Sequence, residues 1–390
     1  AMKILYIAPT DPRETSYGGQ QRTHAIWRGL CAIPGAKVSV FVPVPHRKME
    51  KQEPDVGIYR FCFERRNHPG WFLQRVLKRF IPYCDYSFAY NWKDLKAHFP
   101  NVDAVVVRYV AFAAAFRAWR LAPLYLDADD IHTAEFDLET RVVGNSWMRR
   151  IKRAVLGYVQ YGIYRRSTRI FIPAVEHLPL LKGYPAVCLP NIPHPPLPDV
   201  STTSGLKSRL FFVGLMASEP NYLALDDFFS RHWVALKNIF PDLEFHVIGG
   251  GLPTVYREKW KNYADVVVCG FVENLHVEFA QSLALVTPML MGMGSCIKVL
   301  EALRMGRPVI ATPQGFRGIL QEDRIPQNGL FEYTEERTLV SAIRTLRDQD
   351  ESERQKMAAR AVQFVESHFS QSVVTRVLSA AIYDKQNYCS

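Results

Sequence analysis

A glycine-rich stretch near residue 300 carries residue types that could bind a phosphorylated ligand. Gly292 and Gly294 have no side chains, so a ligand can approach their backbone closely. Ser295 is a favourable N-cap for a helix that we predict to run through about Met305 and to end at Gly306. The N–H groups and partial positive charge at such a helix start attract phosphate oxygens, so the stretch predicts a phosphate site.

Lys298 and Glu301 extend this prediction, because residues three apart share one face of a helix. A lysine beside a phosphate supplies charge, and a carboxylate one turn further can accept hydrogen bonds from ribose hydroxyls. Ile297, Leu300 and Leu303 would pack against the sheet. Together these residues predict a site for a nucleoside diphosphate. An ordinary surface Lys/Glu pair behind a glycine-rich turn explains the same spacing equally well.

A second group of chemically active residues follows the apolar run "LYLD" at 124–127. We take Asp129 and Asp130 as candidate catalytic residues, with Asp130 orienting an acceptor hydroxyl or removing its proton as a general base. His132 is a candidate acceptor contact. The alternative, which we favour for Asp127, is that the aspartates cap the following helix and His132 faces solvent. Asp127 and Asp129 also spell D-x-D, a metal-binding pattern, but it lies outside the half with the nucleotide features, so we expect no metal ligand.

Apolar, β-rich runs alternate with segments of helical character along both halves of the chain. This alternation predicts parallel strands with crossover helices, in two doubly wound α/β domains of the Rossmann-like type. Ligands of such sheets collect beyond the carboxyl ends of the strands. The predicted strands cover 3–9, 38–45, 103–110, 123–129, 169–174, 209–214, 243–251, 265–270, 283–288 and 307–313.

A proline-rich segment at 190–205 separates the two halves, since its composition excludes a continuous helix or central strand. We expect an acceptor-binding domain over 1–195, a linker over 196–208 and a nucleotide-binding domain over 209–368. The last residues, 369–390, should form a helix that packs back towards the first domain. The two domains should face each other across a cleft.

The amino-acid composition indicates the cellular compartment of the protein and the charge of its binding partners. Hydrophobic residues make up 48% and charged residues 22%, as in folded globular proteins. The seven scattered cysteines, without C-x-x-C spacing, favour a reducing cytoplasm over a disulfide or zinc scaffold. The apolar run at the start reads as a strand because it is too short for a signal peptide. The net charge of +10 lies entirely in the first half, which indicates an anionic partner there.

Two basic, aromatic segments, 71–83 and 147–169, could be that contact surface. Helices of this composition lie in membrane interfaces and bind anionic lipid. For 147–169 the alternative of a core-packed helix with a solvated basic face is at least as good. A peripheral membrane contact therefore stays open. Nucleic acid is disfavoured, because no zinc spacing, recognition helix or RNA-binding motif is present.

At this point the sequence resembles a known family. "LVTPMLMGMGSCIKVLEALRMGRPVIATPQGFRGI" resembles the donor-site signature of glycosyltransferase family 4, whose members have the GT-B fold and transfer a sugar from a nucleotide diphosphate. "LFFVGLMASEPNYLALDDFF", "FPDLEFHVIGGG" and "VVVCGFVENL" are similar to the start and base-binding parts of its second domain. "PTDPRETSYGGQQRTHAIWRGL" and "VCLPNIPHPP" are similar to its first-strand loop and its hinge.

The resemblance implies that Glu301 holds the ribose, that Lys298 and the amides near Ser295 hold the diphosphate, and that Gly292, Met293 and Gly294 lie along the sugar. The base lies by Phe271 and Val272, with Gly18 and Gly19 close to the phosphates. We add Gly214 and Asn221 as donor contacts and Arg22 as an acceptor contact. The predicted donor set is Gly18, Gly19, Gly214, Asn221, Phe271, Val272, Gly292, Met293, Gly294, Ser295, Lys298 and Glu301.

The sequence also departs from the family pattern. The first glutamate of the family's paired motif is Met293 here, and "VGLMASEPN" lacks the usual Arg and Lys. A subgroup with a glycine-rich loop and an extra lysine shows the same pattern, so Lys298 becomes the main phosphate cation.

The resemblance implies a metal-independent transferase of the hexosyltransferase type that makes a surface polysaccharide, lipopolysaccharide or glycolipid. The donor would be a sugar linked to UDP or GDP, no cofactor is needed, and the sugar configuration is retained. An inverting route through Asp130, an epimerase of the same fold, and a non-catalytic glycan- or carrier-binding relative remain alternatives. We expect a cytoplasmic protein, with peripheral contact to the inner face of the membrane left open.

Overall fold

The computed structural model describes residues 1–45, 57–63, 92–143, 146–193 and 206–383. The chain divides into two compact units. The first unit contains Ala1–Asn191 together with Gln371–Ser390, and the second contains Ile192–Ser370.

The first unit is built on a seven-stranded sheet with the order β3-β2-β1-β4-β5-β6-β7. Each strand pairs with its neighbours in parallel, and β1 lies between β2 and β4. This is the order of a doubly wound sheet. The strands are β1 (Met2–Ile7), β2 (Ala36–Pro45), β3 (Ile58–Phe63), β4 (Ala104–Arg108), β5 (Leu124–Asp127), β6 (Ser167–Ile172) and β7 (Ala186–Cys188).

Helices connect these strands and cover the sheet. The helices of the first unit are α1 (Gly18–Cys31), α2 (Trp92–His98), α3 (Val110–Ala115), α4 (His132–Val143), α5 (Trp147–Tyr164) and α13 (Gln371–Tyr383). Two short 3-10 turns lie at Ala118–Arg120 and Val175–Leu181. Helix α13 packs against α1, where Gln371 Nε2 donates a 2.9 Å hydrogen bond to the carbonyl of Ala25.

The second unit has a six-stranded, fully parallel sheet with the order β10-β9-β8-β11-β12-β13. Its strands are β8 (Arg209–Val213), β9 (Glu244–Ile248), β10 (Val266–Gly270), β11 (Ala284–Thr287), β12 (Val309–Ala311) and β13 (Leu330–Glu332). Its helices are α6 (Glu219–Phe228), α7 (Val234–Ile239), α8 (Thr254–Trp260), α9 (Leu275–Gln281), α10 (Ile297–Arg304), α11 (Glu336–Asp348) and α12 (Glu351–His368). A π-helical turn, Phe229–Trp233, joins α6 to α7.

The central strands explain why the sheets form. Every residue of β4, β5 and β11 is buried, as expected for strands that helices cover on both faces. The fold class predicted from the alternating apolar runs, with two doubly wound parallel sheets, is confirmed. In each sheet all carboxyl ends share one edge, so the loops that follow the strands meet there.

Other predictions concern particular segments of the chain. The final helix was expected within 369–390, and in the described residues α13 covers Gln371–Tyr383, after α12 ends at His368. Of the helices in the described residues, none is long and apolar enough to cross a membrane. The basic segment 71–83 lies outside the described residues.

Candidate functional site

The glycine-rich loop of the second unit lies between β11 and α10, at the carboxyl edge of the sheet. Gly292 has φ = 133° and Gly294 has φ = 70°, conformations that residues with a side chain rarely adopt. Met293 lies between them and is half-buried. Because glycine adopts these angles without the strain that a Cβ adds, the two glycines allow the path of this loop.

Helix α10 starts one residue later than predicted. It begins at Ile297, with Cys296 rather than Ser295 at the N-cap position, and no side chain caps it. Val299, Leu300, Ala302 and Leu303 are buried. The predicted burial of Leu300 and Leu303 is therefore confirmed, whereas Ile297 is half-buried.

Lys298 lies at the centre of the second unit's candidate site. Its Nζ donates a 3.0 Å hydrogen bond to Oδ1 of Asn221 and lies 3.9 Å from the centre of the Phe212 ring. A Cβ placed on Gly214 would come within 2.9 Å of the same nitrogen. The structure thus brings together Gly214, Asn221 and Lys298, three of the predicted donor contacts.

The electrostatics of Lys298 favour an anionic ligand. Burial lowers the pKa of Lys298 to about 8, and the positive charge of Arg317 acts in the same direction, while Glu301 opposes it. An anion beside this ammonium would stabilise its charged form. Glu301 is half-buried on the first turns of α10, on the helix face that the spacing of Lys298 and Glu301 predicts.

The loops after β8 and β9 approach each other at glycines. A Cβ on Gly249 would lie 1.7 Å from the carbonyl oxygen of Gly214, so no side chain fits there. Gly249 also has φ = 135°. Asn221, in α6, additionally donates a 2.9 Å hydrogen bond to the carbonyl of Leu215. These contacts hold the loop after β8, and with it the partner of Lys298, in one position.

Arg317 is a component that sequence reasoning missed. Its Nε donates to the carbonyl of Met293 at 3.2 Å and its Nη1 to the carbonyl of Gln314 at 2.8 Å. Gln314 in turn donates a 2.7 Å hydrogen bond to the carbonyl of Gly292. Arg317 follows β12, the strand next to β11, and that adjacency at the carboxyl edge was the available signal. It holds the glycine-rich loop and adds a second positive charge to the site.

Phe271 and Val272 follow β10 at the same edge of the sheet. Phe271 is 81% exposed, whereas Val272 is half-buried and packs against the core. An exposed aromatic ring beside the backbone of a strand end is available to stack on a planar ligand group.

The first unit has a separate polar cluster, also at a carboxyl edge. Asp127, the last residue of β5, is fully buried between two arginines. Arg22 Nη2 lies 2.5 Å and Arg108 Nε lies 3.4 Å from its carboxylate oxygens. The interpretation of Asp127 as a helix cap is wrong, because its carboxylate compensates two buried guanidinium groups.

The guanidinium N–H groups of Arg22 donate hydrogen bonds to acceptors within this cluster. Besides Asp127, it donates to the carbonyl of Leu189 at 2.9 Å and to Oδ1 of Asn191 at 2.8 Å, and it is only 3% exposed. Such a buried guanidinium positions β5 and the chain around Leu189. This placement supports a structural role for Arg22 rather than the expected contact with an acceptor.

Asp129 is part of the same cluster. Its carboxylate forms an ion pair with Nη2 of Arg108, and its backbone adopts φ = 60°. Arg108 also donates to Oγ1 of Thr23 at 2.8 Å and to the carbonyl of Gly19. Gly18 and Gly19 form the start of α1. Their expected contact with the diphosphate rests on the sequence resemblance alone.

Asp130 and His132 lie at the border of this cluster, and both are half-buried. The amide of Asp130 donates a 2.8 Å hydrogen bond to the carbonyl of Ala128, and His132 starts α4. Burial lowers the pKa of His132, although Asp129 opposes the shift, so the imidazole is neutral at pH 7. A neutral imidazole can accept a proton or a hydrogen bond from a hydroxyl group.

The family comparison applies to the second unit, where residues 207–349 match a family model described as "Glycosyl transferases group 1". The match contains Gly214, Asn221, Lys298 and Arg317. The resemblance to a glycosyltransferase family is therefore confirmed over these residues, and the subgroup with the extra lysine stays a prediction. No curated protein matches the chain.

Solved structures similar to the whole chain share the same two-domain fold. Sucrose-phosphate synthase from Thermosynechococcus elongatus is 15% identical, with a TM-score of 0.69 over 100% of both chains. HepE from Anabaena, in complex with UDP and glucose, is 13% identical, with a TM-score of 0.61 over 98% of this chain and 99% of that one. WaaG, a glycosyltransferase involved in lipopolysaccharide biosynthesis, is 14% identical, with a TM-score of 0.59 over 98% and 100%. These likenesses show the GT-B fold.

The region that matches the family model thus contains Lys298, Asn221, Gly214 and the glycine-rich loop at the carboxyl edge of its sheet. Within the described ranges, no three His, Cys, Asp or Glu side chains come together as a metal site.

Proposed function

We propose that this protein transfers a sugar from a nucleoside diphosphate sugar to a glycan or a lipid-linked saccharide. Lys298, with its lowered pKa and its hydrogen bond to Asn221 beside the glycine-rich loop, is the observation that carries the proposal. A cation held in this way, at the end of a parallel sheet and next to a helix start, is suited to a diphosphate.

Two cations share the phosphate charge in this proposal. Lys298 binds one part of the diphosphate, and Arg317 supports the loop of Gly292 to Gly294 and supplies a second positive charge. Glu301, one turn after Lys298, accepts hydrogen bonds from the ribose hydroxyls. The exposed ring of Phe271 and the backbone at Val272 contact the base.

The relatives support the nucleotide and the product class. HepE has been crystallised with UDP and glucose, and WaaG is involved in lipopolysaccharide biosynthesis. By analogy, we infer a UDP- or GDP-linked donor and a surface glycan or glycolipid product. The free cysteines of the described residues, Cys31, Cys188, Cys269 and Cys296, agree with a reducing compartment.

We infer that transfer proceeds with retention of configuration. The acceptor hydroxyl attacks the anomeric carbon on the face that the diphosphate leaves, and the departing phosphate oxygen takes the hydroxyl proton. The bond from the anomeric carbon to the acceptor oxygen forms as its bond to the phosphate oxygen breaks. Lys298 and Arg317 stabilise the negative charge that develops on the diphosphate. Asp130 and the neutral His132 orient the acceptor hydroxyl.

Calorimetry with UDP, GDP and ADP tests the donor site. We expect Lys298→Ala and Glu301→Gln each to weaken the preferred nucleotide by about 1–3 kcal/mol, as for lost charge-assisted hydrogen bonds. Lys261 and Glu258 provide a matched control, because they form an exposed pair at the same i,i+3 spacing. Changing them should leave affinity unaltered. Unchanged affinity in both Lys298 and Glu301 variants would refute the assignment.

An assay with the sugar-linked form of the preferred nucleotide then distinguishes the candidate reactions. Transfer to lipid extracts or glycans supports the transferase, and conversion of the sugar without acceptor identifies an epimerase. Nucleotide-independent glycan binding without turnover identifies a binding protein. Proton NMR of the anomeric centre of the product distinguishes retention from inversion.

A further inference from the structure

Helix α5 (Trp147–Tyr164) has apolar residues on two opposite faces. One face, with Leu156, Gln160, Ile163 and Tyr164, is buried in the first unit. A helix that covers a core on one side normally carries polar residues on the other. The solvent side of α5 does not follow that rule, so its residues need an explanation beyond folding.

The exposed apolar residues of α5 form a stripe. Trp147 is 70%, Ile151 47% and Tyr158 80% exposed. Together with the exposed Ala154 they recur at steps of four, three and four residues, which places them on one line along the helix. At 1.5 Å per residue this stripe extends about 16 Å. Met148, 42% exposed, adds to it near the helix start.

Basic residues border the stripe, and no acidic residue occurs between 147 and 169. Arg149 and Arg153 are used in folding. Arg149 lies over the Phe136 ring, 4.5 Å from its centre, and Arg153 forms an ion pair with Asp137 at 2.7 Å. Four other basic residues on α5 and just after it, Arg150, Lys152, Arg165 and Arg166, are exposed, and of these Lys152 lies near the Phe136 ring and Arg166 near the Trp119 ring.

The apolar stripe and its basic border point to one occupant. Trp and Tyr favour the boundary between water and acyl chains, and exposed Arg and Lys attract anionic headgroups. A soluble anionic partner would use the basic border but would leave the exposed rings in water. We propose that the exposed face of α5 binds the surface of a bilayer that contains anionic phospholipid, with the helix parallel to the membrane plane.

This inference does not depend on sugar transfer, since it rests on residues of the first unit. If the proposed function holds as well, the membrane contact gives the enzyme access to a lipid-linked acceptor. The sequence analysis considered for 147–169 a core-packed helix with a solvated basic face. The structure shows instead that its apolar residues are not all needed in the core.

Co-sedimentation with phosphatidylcholine vesicles, with and without phosphatidylglycerol, tests the proposal on the full chain. We expect binding only to the anionic vesicles, and we expect it to weaken as salt is added. A Trp147→Ala/Tyr158→Ala double variant should bind at least about tenfold more weakly, because two interfacial aromatic rings are lost. An Arg150→Gln/Lys152→Gln variant should bind roughly fivefold or more weakly per charge removed.

The matched control is Val234→Ser/Val255→Ser, which changes two exposed apolar residues of the second unit, 63% and 69% exposed. It should bind vesicles like the wild type, and every variant should keep its circular dichroism and melting temperature. Equal vesicle binding by all variants overturns the proposal.

Sedimentation velocity provides a second check. If the wild type is a dimer that the aromatic double variant dissociates, the stripe is an interface between two copies, and the membrane assignment is wrong.

Discussion

The Lys298 ammonium is held between an aromatic ring and a polar amide. The Phe212 ring and the Asn221 side chain both contact it, and the charges of Arg317 and Glu301 act on its pKa in opposite directions. Burial therefore lowers its pKa to about 8. In the proposed function, the phosphates of the donor lie beside this ammonium and stabilise its charged form.

This pKa makes nucleotide binding dependent on pH. The free protein loses the Lys298 proton above pH 8, whereas a bound diphosphate raises the pKa and keeps the proton. Binding thus takes up a proton, so affinity should fall about tenfold between pH 7 and pH 9. Calorimetry across this range measures the effect. Lys298→Arg should show a flat profile, because a guanidinium stays charged. An equally steep profile in that variant would assign the proton to another group.

Asp127 and Asp130 are three residues apart and should behave differently. Asp127→Asn leaves the charges of the buried Arg22 and Arg108 without full compensation, so we expect the first unit to lose about 3–5 kcal/mol of stability.

The Asp130→Asn variant should fold normally. If Asp130 orients the acceptor, its loss raises KM for the acceptor and keeps kcat within about tenfold. A fall in kcat of about 10²–10⁴-fold would instead make it a general base of an inverting reaction. Urea unfolding and steady-state kinetics measure both.

At the scale of elements, the loops after β8 and β9 position the site through their glycines. Gly214 faces Lys298 and Asn221, and Gly249 faces the Gly214 carbonyl. The contact at Gly214 involves the ends of side chains, which can move, whereas the contact at Gly249 involves rigid backbone. A substitution at Gly214 should therefore affect nucleotide binding, and a substitution at Gly249 should affect stability.

We expect Gly214→Ala to displace Lys298 and weaken nucleotide binding about tenfold with little loss of stability, since a side-chain end 2.9 Å away can move. Gly249→Ala should cost on the order of 3 kcal/mol or more of stability, because φ is 135° and the new atom meets a backbone oxygen. Gly250 is the control, as a Cβ there has no neighbour within 4 Å. Thermal melts with and without nucleotide distinguish the three variants. Similar behaviour of Gly249→Ala and Gly250→Ala would contradict the argument.

Most of the strands that the sequence predicted are buried ones, and the exception is β10, a partly exposed edge strand with the apolar run "VVVCG". Helices cover both faces of a central strand, so its residues are almost all apolar and form a continuous apolar run, as in β4 and β11. The strands that were missed, β3, β7 and β13, each lie at an edge of a sheet. Two of them have only three residues. An edge strand has one neighbour and less burial, so its sequence carries a weaker pattern.

In the candidate site, too, residues that are close in sequence could be predicted, whereas contacts between distant parts of the chain could not. Gly292, Gly294 and Lys298 could be found because they are close in sequence and their chemistry depends on local geometry. Arg317 was missed because its role arises from contacts across the loop, to the carbonyls of Met293 and Gln314. Asp127 was misinterpreted for a similar reason. Its partners, Arg22 and Arg108, come from different parts of the chain, and only the fold brings them together.

At the scale of the whole molecule, the chain returns to its first unit after completing its second. Helix α13 places Val374, Leu378, Ala381 and Ile382 in the first unit's core. Leu378 and Val374 meet α1 at Gly29, where a Cβ would lie 2.8 and 3.2 Å from them. Tyr383 donates a 2.6 Å hydrogen bond to the carbonyl of Pro34. The stability of the first unit therefore depends on residues that follow the second unit in sequence.

Truncation after Ser370 should destabilise the first unit and spare the second. Burial of a large aliphatic side chain contributes roughly 1.5–3 kcal/mol, so losing Val374, Leu378 and Ile382 should cost on the order of 5 kcal/mol. Hydrogen exchange should then speed up in peptides of β1 and β4 but not in those of β8 and β11. Leu378→Ala is the milder test, with an expected cost of about 2–5 kcal/mol confined to the first unit. Nucleotide affinity should survive both changes, since Lys298 and its contacts lie within the second unit. Accelerated exchange in β8 and β11 would show instead that the two units unfold as one.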